Sequence, residues 1–299
     1  MPEPGQRDFV GYGRHVPRVR WPHDARVAVS IQVNYEAGAE YTVEEDGRNE
    51  AIGEWLLGFD KDVVDRSTQS IYEYETRAGF WRIMRILDEY GVDSTVNACA
   101  QAVERNPEVA SYLRESAHEV CCHGWRWEET WTYTRELESE RIARAVASLE
   151  ATTGKRPFGW CSRLMASEHT RELLVEHGFR YDSDALNDDL PYLVDVAGHD
   201  HVVVPLSFTY NDGQYILGAC DPPGFLSLLK LALGELLREG ATHPKLMTVS
   251  LHPRWTGQAG RAAVLREFIE HAHAQSGVWF ARRLDVADWW RANQAGFER

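Results

Sequence analysis

The sequence predicts an α/β protein: a closed or nearly closed (β/α) barrel of about seven or eight mostly parallel strands, formed by a single domain spanning residues 1–299. Short apolar runs alternate with amphipathic segments along the whole chain, which is typical of a parallel sheet flanked by helices. Neither a linker nor a repeat divides the 299 residues. No Gly-rich phosphate-binding loop follows the first strand, so a closed or nearly closed barrel is favoured over a doubly wound open sheet.

The strands are predicted from short apolar runs that end at a turn residue or a charged side chain. Before them, residues 1–25 are rich in Pro, Gly and Arg and are expected to form an N-terminal arm on the surface. Strands are predicted over residues 26–34, 94–100, 118–123, 158–162, 179–182, 201–205, 246–252 and 278–282. The acidic segment between residues 182 and 201 is predicted to be a loop.

Helices are predicted where apolar residues recur every three or four positions between cap and stop signals. An acidic, irregular loop over residues 39–70 precedes the first of them, and its Glu44-Glu45-Asp46 run is interpreted as solvated. Helices are then predicted over residues 76–90, 107–115, 137–149, 167–177, 222–239 and 261–273, and in the Trp-rich C-terminal segment.

Composition narrows the class of partner. A formal net charge of −14 argues against nucleic acid and anionic membrane surfaces as partners. No export signal begins the sequence and no window approaches eighteen apolar residues, so a cytoplasmic protein with no membrane span is expected. Five cysteines, mostly inside apolar runs, suit reduced thiols. A small-molecule substrate fits these constraints.

Polar side chains stand where the predicted strands end. In a parallel barrel these ends meet at one rim, which is where catalytic residues lie. A single polar residue at a strand end is more often structural, but several on one rim form a site hypothesis. The strand-end residues are Glu36, His123, Arg163, Asp182 or Asp184, and His252.

Glu36 is the candidate general base, and burial against Trp125 and Trp127 is expected to raise its pKa. The alternative interpretation pairs Glu36 with Arg26 or Arg77 in a purely structural contact.

His123 and His252 are the candidates for acid and orienting residue. His123 could instead be a core histidine at a strand end, and His252 could make a hydrogen bond that closes the barrel. Arg163 and Arg254 suit a planar carbonyl or carboxylate, since a guanidinium offers two parallel donors. For Arg254 a structural stacking role is an equal alternative. Asp184 and Asp188 are further substrate-binding candidates, and Asp188 could simply shape its loop.

The order of the strand ends resembles that of the polysaccharide-deacetylase (NodB-homology) superfamily, which folds as a deformed barrel. In that superfamily a Phe-Asp-Asp-Gly turn supplies a base and a metal ligand, a His-x-x-x-His pair supplies two more ligands, and a late strand ends in Leu-x-His. The matching stretches here are Tyr35-Glu36-Ala37-Gly38, His123 to Trp127, and Ser250-Leu251-His252. If Gly38 matches the motif glycine, Glu36 takes the place of the base and Ala37 that of the metal ligand; shifting the alignment by one makes Glu36 the ligand instead. In both alignments only one carboxylate remains and Trp127 replaces an imidazole, so no metal and no other cofactor is expected.

Further motifs are similar to a narrower branch, the cofactor-independent allantoinases. They include Arg77-Ala78-Gly79-Phe80-Trp81-Arg82, His123-Gly124-Trp125-Arg126-Trp127 and Leu251-His252-Pro253-Arg254. This resemblance implies hydrolysis of a cyclic ureide by a homo-oligomer, with a tetramer suggested. The branch usually has Thr-Gly-Arg and then Ser-Pro-Asn-Thr-Arg after the fourth strand. Here residues 161–171 read differently, which puts allantoin itself in doubt.

Three functions remain open from the sequence. The first is metal-free hydrolysis of a small cyclic amide or ureide, a carbon–nitrogen bond other than a peptide bond. The second is metal-dependent deacetylation of N-acetyl sugars or polysaccharide, and the third is a catalytically silent binding module that keeps the barrel.

Overall fold

Nine strands form a single curled sheet in the computed structural model, which describes residues 7–50, 63–215 and 217–297. The strands are β1 (Val27–Tyr35), β2 (Thr95–Ala98), β3 (Glu119–Cys122), β4 (Gly159–Trp160), β5 (Tyr181–Asp182), β6 (Tyr192–Val196), β7 (His199–Val203), β8 (Lys245–Leu251) and β9 (Val278–Phe280). The order across the sheet is β6-β7-β5-β4-β3-β2-β1-β8, with β9 also paired to β1. Only the β6–β7 pair is antiparallel. The predicted deformed barrel of mostly parallel strands is confirmed.

Helices pack around this sheet. They are α1 (Val43–Asp46), α2 (Arg66–Tyr74), α3 (Phe80–Tyr90), α4 (Ala100–Glu104), α5 (Pro107–Glu115), α6 (Arg135–Thr153), α7 (Thr170–Glu176), α8 (Pro222–Glu239), α9 (Ala259–His273) and α10 (Arg283–Asn293). A π-helical segment, Glu75–Gly79, joins α2 to α3. None of the described helices is long and apolar enough to cross a bilayer.

Strand β1 is the longest strand of the sheet, and all nine of its residues are buried. β8 pairs with one edge of β1 from Val27 to Val33. The other edge is shared, because β9 pairs with the first three residues of β1 and β2 with the last four. The carboxyl ends of β1, β2 and β8 therefore lie side by side, and the residues that follow them meet at one rim.

Segments without regular secondary structure nearly close the barrel by bonding to β8. After β7, the polypeptide runs along the free edge of β8, where the Ser250 amide donates to the Tyr210 carbonyl at 3.0 Å. Thr248 Oγ1 donates to the Pro205 carbonyl at 3.2 Å, and the Leu246 amide donates to the Asp189 carbonyl at 2.9 Å. These bonds pair backbone and side-chain groups that an open sheet would leave to water.

Several elements differ from the sequence-based prediction, including the short helices α1 and α4, which it did not contain. The first long helix begins at Arg66, ten residues before Thr76, because Asp65 caps it by accepting from the Thr68 amide at 3.0 Å. The segment predicted as an acidic loop contains β6, an edge strand of mostly half-buried residues in which Asp195 is exposed. Part of the predicted 39–70 loop, residues 51–62, lies outside the described residues.

The acidic run and the N-terminal arm are also more ordered than expected. The Asp46 carboxylate pairs with Arg126 at 2.6 Å, and Glu45 pairs with Arg105 at 2.7 Å, so the run is not simply solvated. In the described part of the arm, Trp21 is buried against Trp279 and Trp290.

Candidate active site

A cavity of about 620 Å³ opens at the carboxyl ends of the strands. Glu36 and His123 lie at its base among buried side chains, with the less enclosed His252 beside them. Trp127 forms part of one wall, and Asp184 stands on another. The cavity size is in the range of small-molecule sites, and polar groups converge in it from several strands.

Glu36 is the most connected residue of the site. Its Oε1 faces His123 Nε2 at 3.2 Å and His252 Nε2 at 3.8 Å, and its Oε2 accepts from Arg254 Nη1 at 2.6 Å. Burial opposes ionisation, but the charge of Arg254, together with the neighbouring His252 and the bond to His123, outweighs it and holds the pKa of Glu36 well below its usual range. The expected rise of this pKa is therefore wrong, because a cation lies behind the carboxylate.

A second buried carboxylate, Glu75, supports the first. Its Oε1 accepts from the backbone amides of Glu36 and Ala37 at 2.7 and 3.0 Å, and its Oε2 lies 3.1 Å from Arg254 Nη1. Burial raises the pKa of Glu75 to about 7; Arg254 opposes this rise and Glu36 adds to it. Arg254 thus bridges two carboxylates.

Two glycines make this bridge possible. Gly79 ends the π-helical segment that carries Glu75, and Gly257 follows Arg254 by three residues. A Cβ on either residue would overlap the carbonyl oxygen of Pro253, and a Cβ on Gly257 would also meet the Gly79 backbone. Only residues without a side chain allow this close backbone approach. π-helical turns of this kind are frequent at functional sites.

His123 is held in a form that donates from both ring nitrogens. Nδ1 lies 2.5 Å from the Cys161 carbonyl oxygen, which can only accept, and Nε2 faces the Glu36 carboxylate. Burial alone would lower the pKa of His123, but the bonds to Cys161 and Glu36 raise it to about 10. His123 is therefore an imidazolium at neutral pH and forms an ion pair with Glu36.

His252 has the opposite arrangement. Nδ1 donates to Asp212 Oδ1 at 2.7 Å, and the same carboxylate accepts from the His252 amide at 2.8 Å and from Thr256 Oγ1 at 2.6 Å. On the far side of the ring, Nε2 faces the Asn34 amide nitrogen, a donor, at 3.4 Å. The Asn34 oxygen accepts from Asn97 at 2.8 Å, which fixes that amide. Nε2 is thus left with a lone pair beside Glu36 and the cavity.

A second group of polar residues also lines the cavity and is called here the polar wall. Its members are Ser162, Arg171, Asp182 and Asp184. Ser162 donates to the two oxygens of Asp184 from its amide and its hydroxyl, both at 2.7 Å. Arg171 donates twice to Asp182, which also contacts His201 at 3.0 Å. Burial and then the charge of Asp182 raise the pKa of Asp184 to about 7. Burial would also raise the pKa of Asp182, but His201 and Arg171 lower it to about 2.

The other candidate residues lie behind the cavity walls. Arg163 is buried, donates to the Trp127 carbonyl at 2.7 Å and to Glu50 at 2.5 Å, and stacks 3.9 Å from the Trp127 ring. Trp125 is buried beneath Arg144, whose guanidinium carbon is 3.7 Å from the ring centroid. Asp188 accepts from the Leu190 amide at 3.0 Å and shapes its own loop.

The structure therefore brings together Glu36, His123, His252, Trp127 and Asp184 around one cavity. Arg254 contacts Glu36 from behind, as described above. Trp125, Arg163 and Asp188 do not line the cavity. Glu36 has neither of its alternative partners, Arg26 or Arg77, among its described contacts.

Sequence reasoning missed Glu75 and Asp212, the two carboxylates that orient the cavity residues. A signal for Glu75 existed, since it lies three residues after Tyr72 and four before Gly79, all on the buried face of one helical run. Asp212 lies in Asn211-Asp212-Gly213, a pattern typical of a turn, and nothing local distinguishes it.

The metal site that the superfamily implies does not fit the residues present. Within residues 7–50, 63–215 and 217–297 no three His, Cys, Asp or Glu side chains form a group able to hold a metal ion. Ala37 offers no donor, Trp127 replaces an imidazole, and His123 Nδ1 is bonded to a carbonyl. The Arg254 cation also occupies the second oxygen of Glu36.

Comparison with known proteins identifies the family of the chain. The profile of the family described as polysaccharide deacetylase matches residues 54–181. A protein of Schizosaccharomyces pombe named "Putative polysaccharide deacetylase" is 34% identical over 96% of this chain and 97% of its own length.

Two solved structures superpose along nearly the whole chain, each with a TM-score of 0.91. A probable polysaccharide deacetylase from Pseudomonas aeruginosa PAO1 is 38% identical and matches over 96% of this chain and 98% of that one. The allantoinase Puue is 36% identical over 96% of this chain and 97% of that one. The chain belongs to the polysaccharide deacetylase family and is a hydrolase of non-peptide carbon–nitrogen bonds.

Proposed function

We propose that this protein hydrolyses a small cyclic amide or ureide without a catalytic metal, using His252 as the general base. The observation that carries the proposal is the His252–Asp212 pair, in which the carboxylate fixes the Nδ1–H tautomer and leaves the Nε2 lone pair beside the cavity. A base needs this orientation to take a proton from water. This assigns to His252 the role that the sequence suggested for Glu36, whose lowered pKa makes it a weak base.

The reaction follows from the positions of three side chains. His252 Nε2 takes a proton from water as the water oxygen bonds to the ring carbonyl carbon. Glu36, 3.8 Å from that nitrogen, stabilises the imidazolium that forms. His252 then returns the proton to the ring nitrogen as the carbon–nitrogen bond breaks, and the ring opens to an acid. The His123 imidazolium supplies positive charge at the base of the cavity for the developing oxyanion.

Other possible donors to the oxyanion are already engaged. The Ser162 amide is bonded to Asp184, the Cys161 amide to the Cys122 carbonyl, and the terminal nitrogens of Arg163 to Trp127 and Glu50. Both N–H groups of His123 are engaged as well, so the proposal relies on its positive charge rather than on a free donor.

A substrate panel with two variants tests this function. Hydantoin and N-acetylglucosamine oligomers would be supplied to the wild type with and without a strong chelator. Ring opening of hydantoin, unchanged by the chelator, is expected. His252→Asn and Glu36→Gln are each expected to lower kcat at least a hundredfold with a smaller effect on KM, because both act on the transition state.

The matched control is Glu168→Gln, an exposed carboxylate at the cavity mouth, which should keep wild-type turnover. If either catalytic variant turned over hydantoin at the wild-type rate, the assigned mechanism would be rejected.

Deacetylation of N-acetyl sugars is the second candidate, favoured by the names of the S. pombe and P. aeruginosa relatives. It predicts acetate release that stops with the chelator and returns with a divalent ion. That result, without hydantoin turnover, would replace the first proposal.

A further inference from the structure

Four exposed apolar side chains stand at the mouth of the cavity, although its base is charged. Leu164, Met165, Leu186 and Phe208 line the mouth, and each exposes 54–68% of its surface. Among the nine large apolar residues exposed in the described chain, these four lie around one opening. Single exposed leucines are ordinary, but a contiguous apolar rim on a binding cavity indicates a ligand.

Leu164 is held in this rim against its conformational preference. Its φ is 57°, in the left-handed region, and the Met165 amide donates to the Arg163 carbonyl at 2.6 Å across it, which makes a γ-turn. A bulky residue in this turn is strained, and such strain clusters at ligand contacts. The turn cannot relax easily, because Arg163 is anchored by Trp127 and Glu50.

The polar wall between base and mouth is already satisfied by its own members. Asp184 receives two bonds from Ser162, and Arg171 donates twice to Asp182. A polar substituent on a bound ring would compete with these bonds. An apolar substituent would instead displace water from the rim, which is favourable.

We infer that the preferred substrate is a cyclic amide carrying an aliphatic or aromatic substituent, with Leu164 and Phe208 as specificity-determining residues. The inference rests on the proposed function for the reacting ring. The ring carbonyl lies at Glu36, His123 and His252, and the substituent extends outward to contact Leu164, Met165, Leu186 and Phe208. A bare five- or six-membered ring fills only part of the 620 Å³ cavity. Allantoin, whose substituent is a polar ureido group, is a poorer fit to this rim.

The test compares three substrates that share one ring: hydantoin, allantoin and 5-isobutylhydantoin. For the wild type, kcat/KM is expected to be at least about tenfold higher for the isobutyl compound, which is the scale of apolar pocket discrimination. Leu164→Gly combined with Phe208→Ala should remove that advantage, lowering kcat/KM for the isobutyl compound at least about tenfold more than for hydantoin. Leu231→Ala, an equally exposed leucine on α8 outside the cavity, is the matched control and should change nothing.

The substitution at Leu164 is not expected to unfold the protein, so unfolding would not explain a loss of substrate preference in the double variant. Glycine adopts a φ near 57° without strain, so Leu164→Gly alone should have a Tm equal to or above that of the wild type.

Three outcomes separate the inference from the function on which it rests. Faster turnover of allantoin than of the isobutyl compound, or equal losses on all substrates in the double variant, overturns the apolar rim and leaves the function standing. If none of the three rings is opened, the proposed function fails. Calorimetry then tests whether the apolar rim binds the substituent. Tighter binding of 5-isobutylhydantoin than of hydantoin, lost in the double variant, supports the inference. Equal binding of the two compounds rejects it.

Discussion

Two buried polar clusters lie in the same barrel, one at the cavity and one around Arg283 at the start of α10. In the second cluster, called here the Arg283 network, the guanidinium donates to Ser183 Oγ, Thr248 Oγ1 and the carbonyls of Val204 and Pro205. Glu119 accepts from Thr95, Tyr181 and the Leu284 amide at 2.7, 2.7 and 3.0 Å. Both clusters contain fully buried charges.

The two clusters differ in whether any of their polar groups faces the open cavity. Arg283 meets only acceptors and Glu119 only donors, and neither residue lines the cavity. At the cavity, the supporting carboxylates Glu75 and Asp212 are similarly engaged from behind, but Glu36 and the His252 Nε2 lone pair face open space. Burial of charge alone thus does not identify a catalytic site. The cavity cluster is distinguished because Glu36 and His252 face open space while their partners hold them from behind.

The largest expected effect separates the two clusters by activity. Asp212→Asn removes the acceptor that fixes His252 and favours the wrong tautomer, so we expect kcat to fall about a thousand- to ten-thousandfold, as for the aspartate of a Ser-His-Asp triad. Glu119→Gln places an amide among three donors and should lower the free energy of unfolding by about 1–3 kcal/mol while the folded enzyme keeps its kcat. Kinetics and urea unfolding of both variants check this contrast, and equal losses of kcat would contradict it.

The next largest effect is on stability, and it is expected when Arg254 or Arg283 is replaced. Arg254→Met leaves Glu36 and Glu75 buried without their shared cation, and Arg283→Met leaves hydroxyl and carbonyl oxygens without a donor. Breaking a buried ion pair from one side typically costs about 3–5 kcal/mol, and a buried acceptor left without its donor costs about 1–3 kcal/mol. Both variants should therefore be destabilised at pH 7.

The pH dependence tells the two arginine variants apart. In the wild type the lowered pKa of Glu36 contributes stability above its unfolded pKa that is lost as the pH falls. Without Arg254, burial raises the pKa of Glu36 instead, so its contribution is present below the unfolded pKa and is lost as the pH rises. Arg254→Met should therefore regain stability relative to wild type between pH 7 and pH 5. Arg283→Met should regain less, because its direct partners do not titrate. Urea unfolding at several pH values measures both, and the same recovery in the two variants would count against the assignment.

The strands and three of the cavity side chains could be predicted because both signals are local. An apolar run that stops at Glu36, His123 or His252 shows the end of a strand and the residue placed there, and the parallel arrangement brings these ends together. The supporting carboxylates could not be found this way. Glu75 meets the backbone of Glu36 from 39 residues away, and Asp212 meets His252 from 40 residues away, so each pairing depends on the folded chain. The same limit explains the pKa of Glu36, which is set by Arg254, 218 residues distant.

The smallest expected effect is a pH dependence at the polar wall of the cavity. Burial and the charge of Asp182 raise the pKa of Asp184 to about 7, above its ordinary value of 3.8. The fold therefore favours the protonated carboxyl, and this contribution is fully present below the unfolded pKa and is lost as the pH rises to 7.

Asp184→Asn cannot titrate, so its stability relative to wild type should rise between pH 4 and pH 7 and level off above. The slope should stay below about 1.4 kcal/mol per pH unit, because one side of the carboxyl faces the cavity. Urea unfolding of both proteins across this range measures the difference. A difference that is constant with pH would mean that Asp184 is already ionised in the folded protein, and the polar wall would then present a negative charge to the substrate.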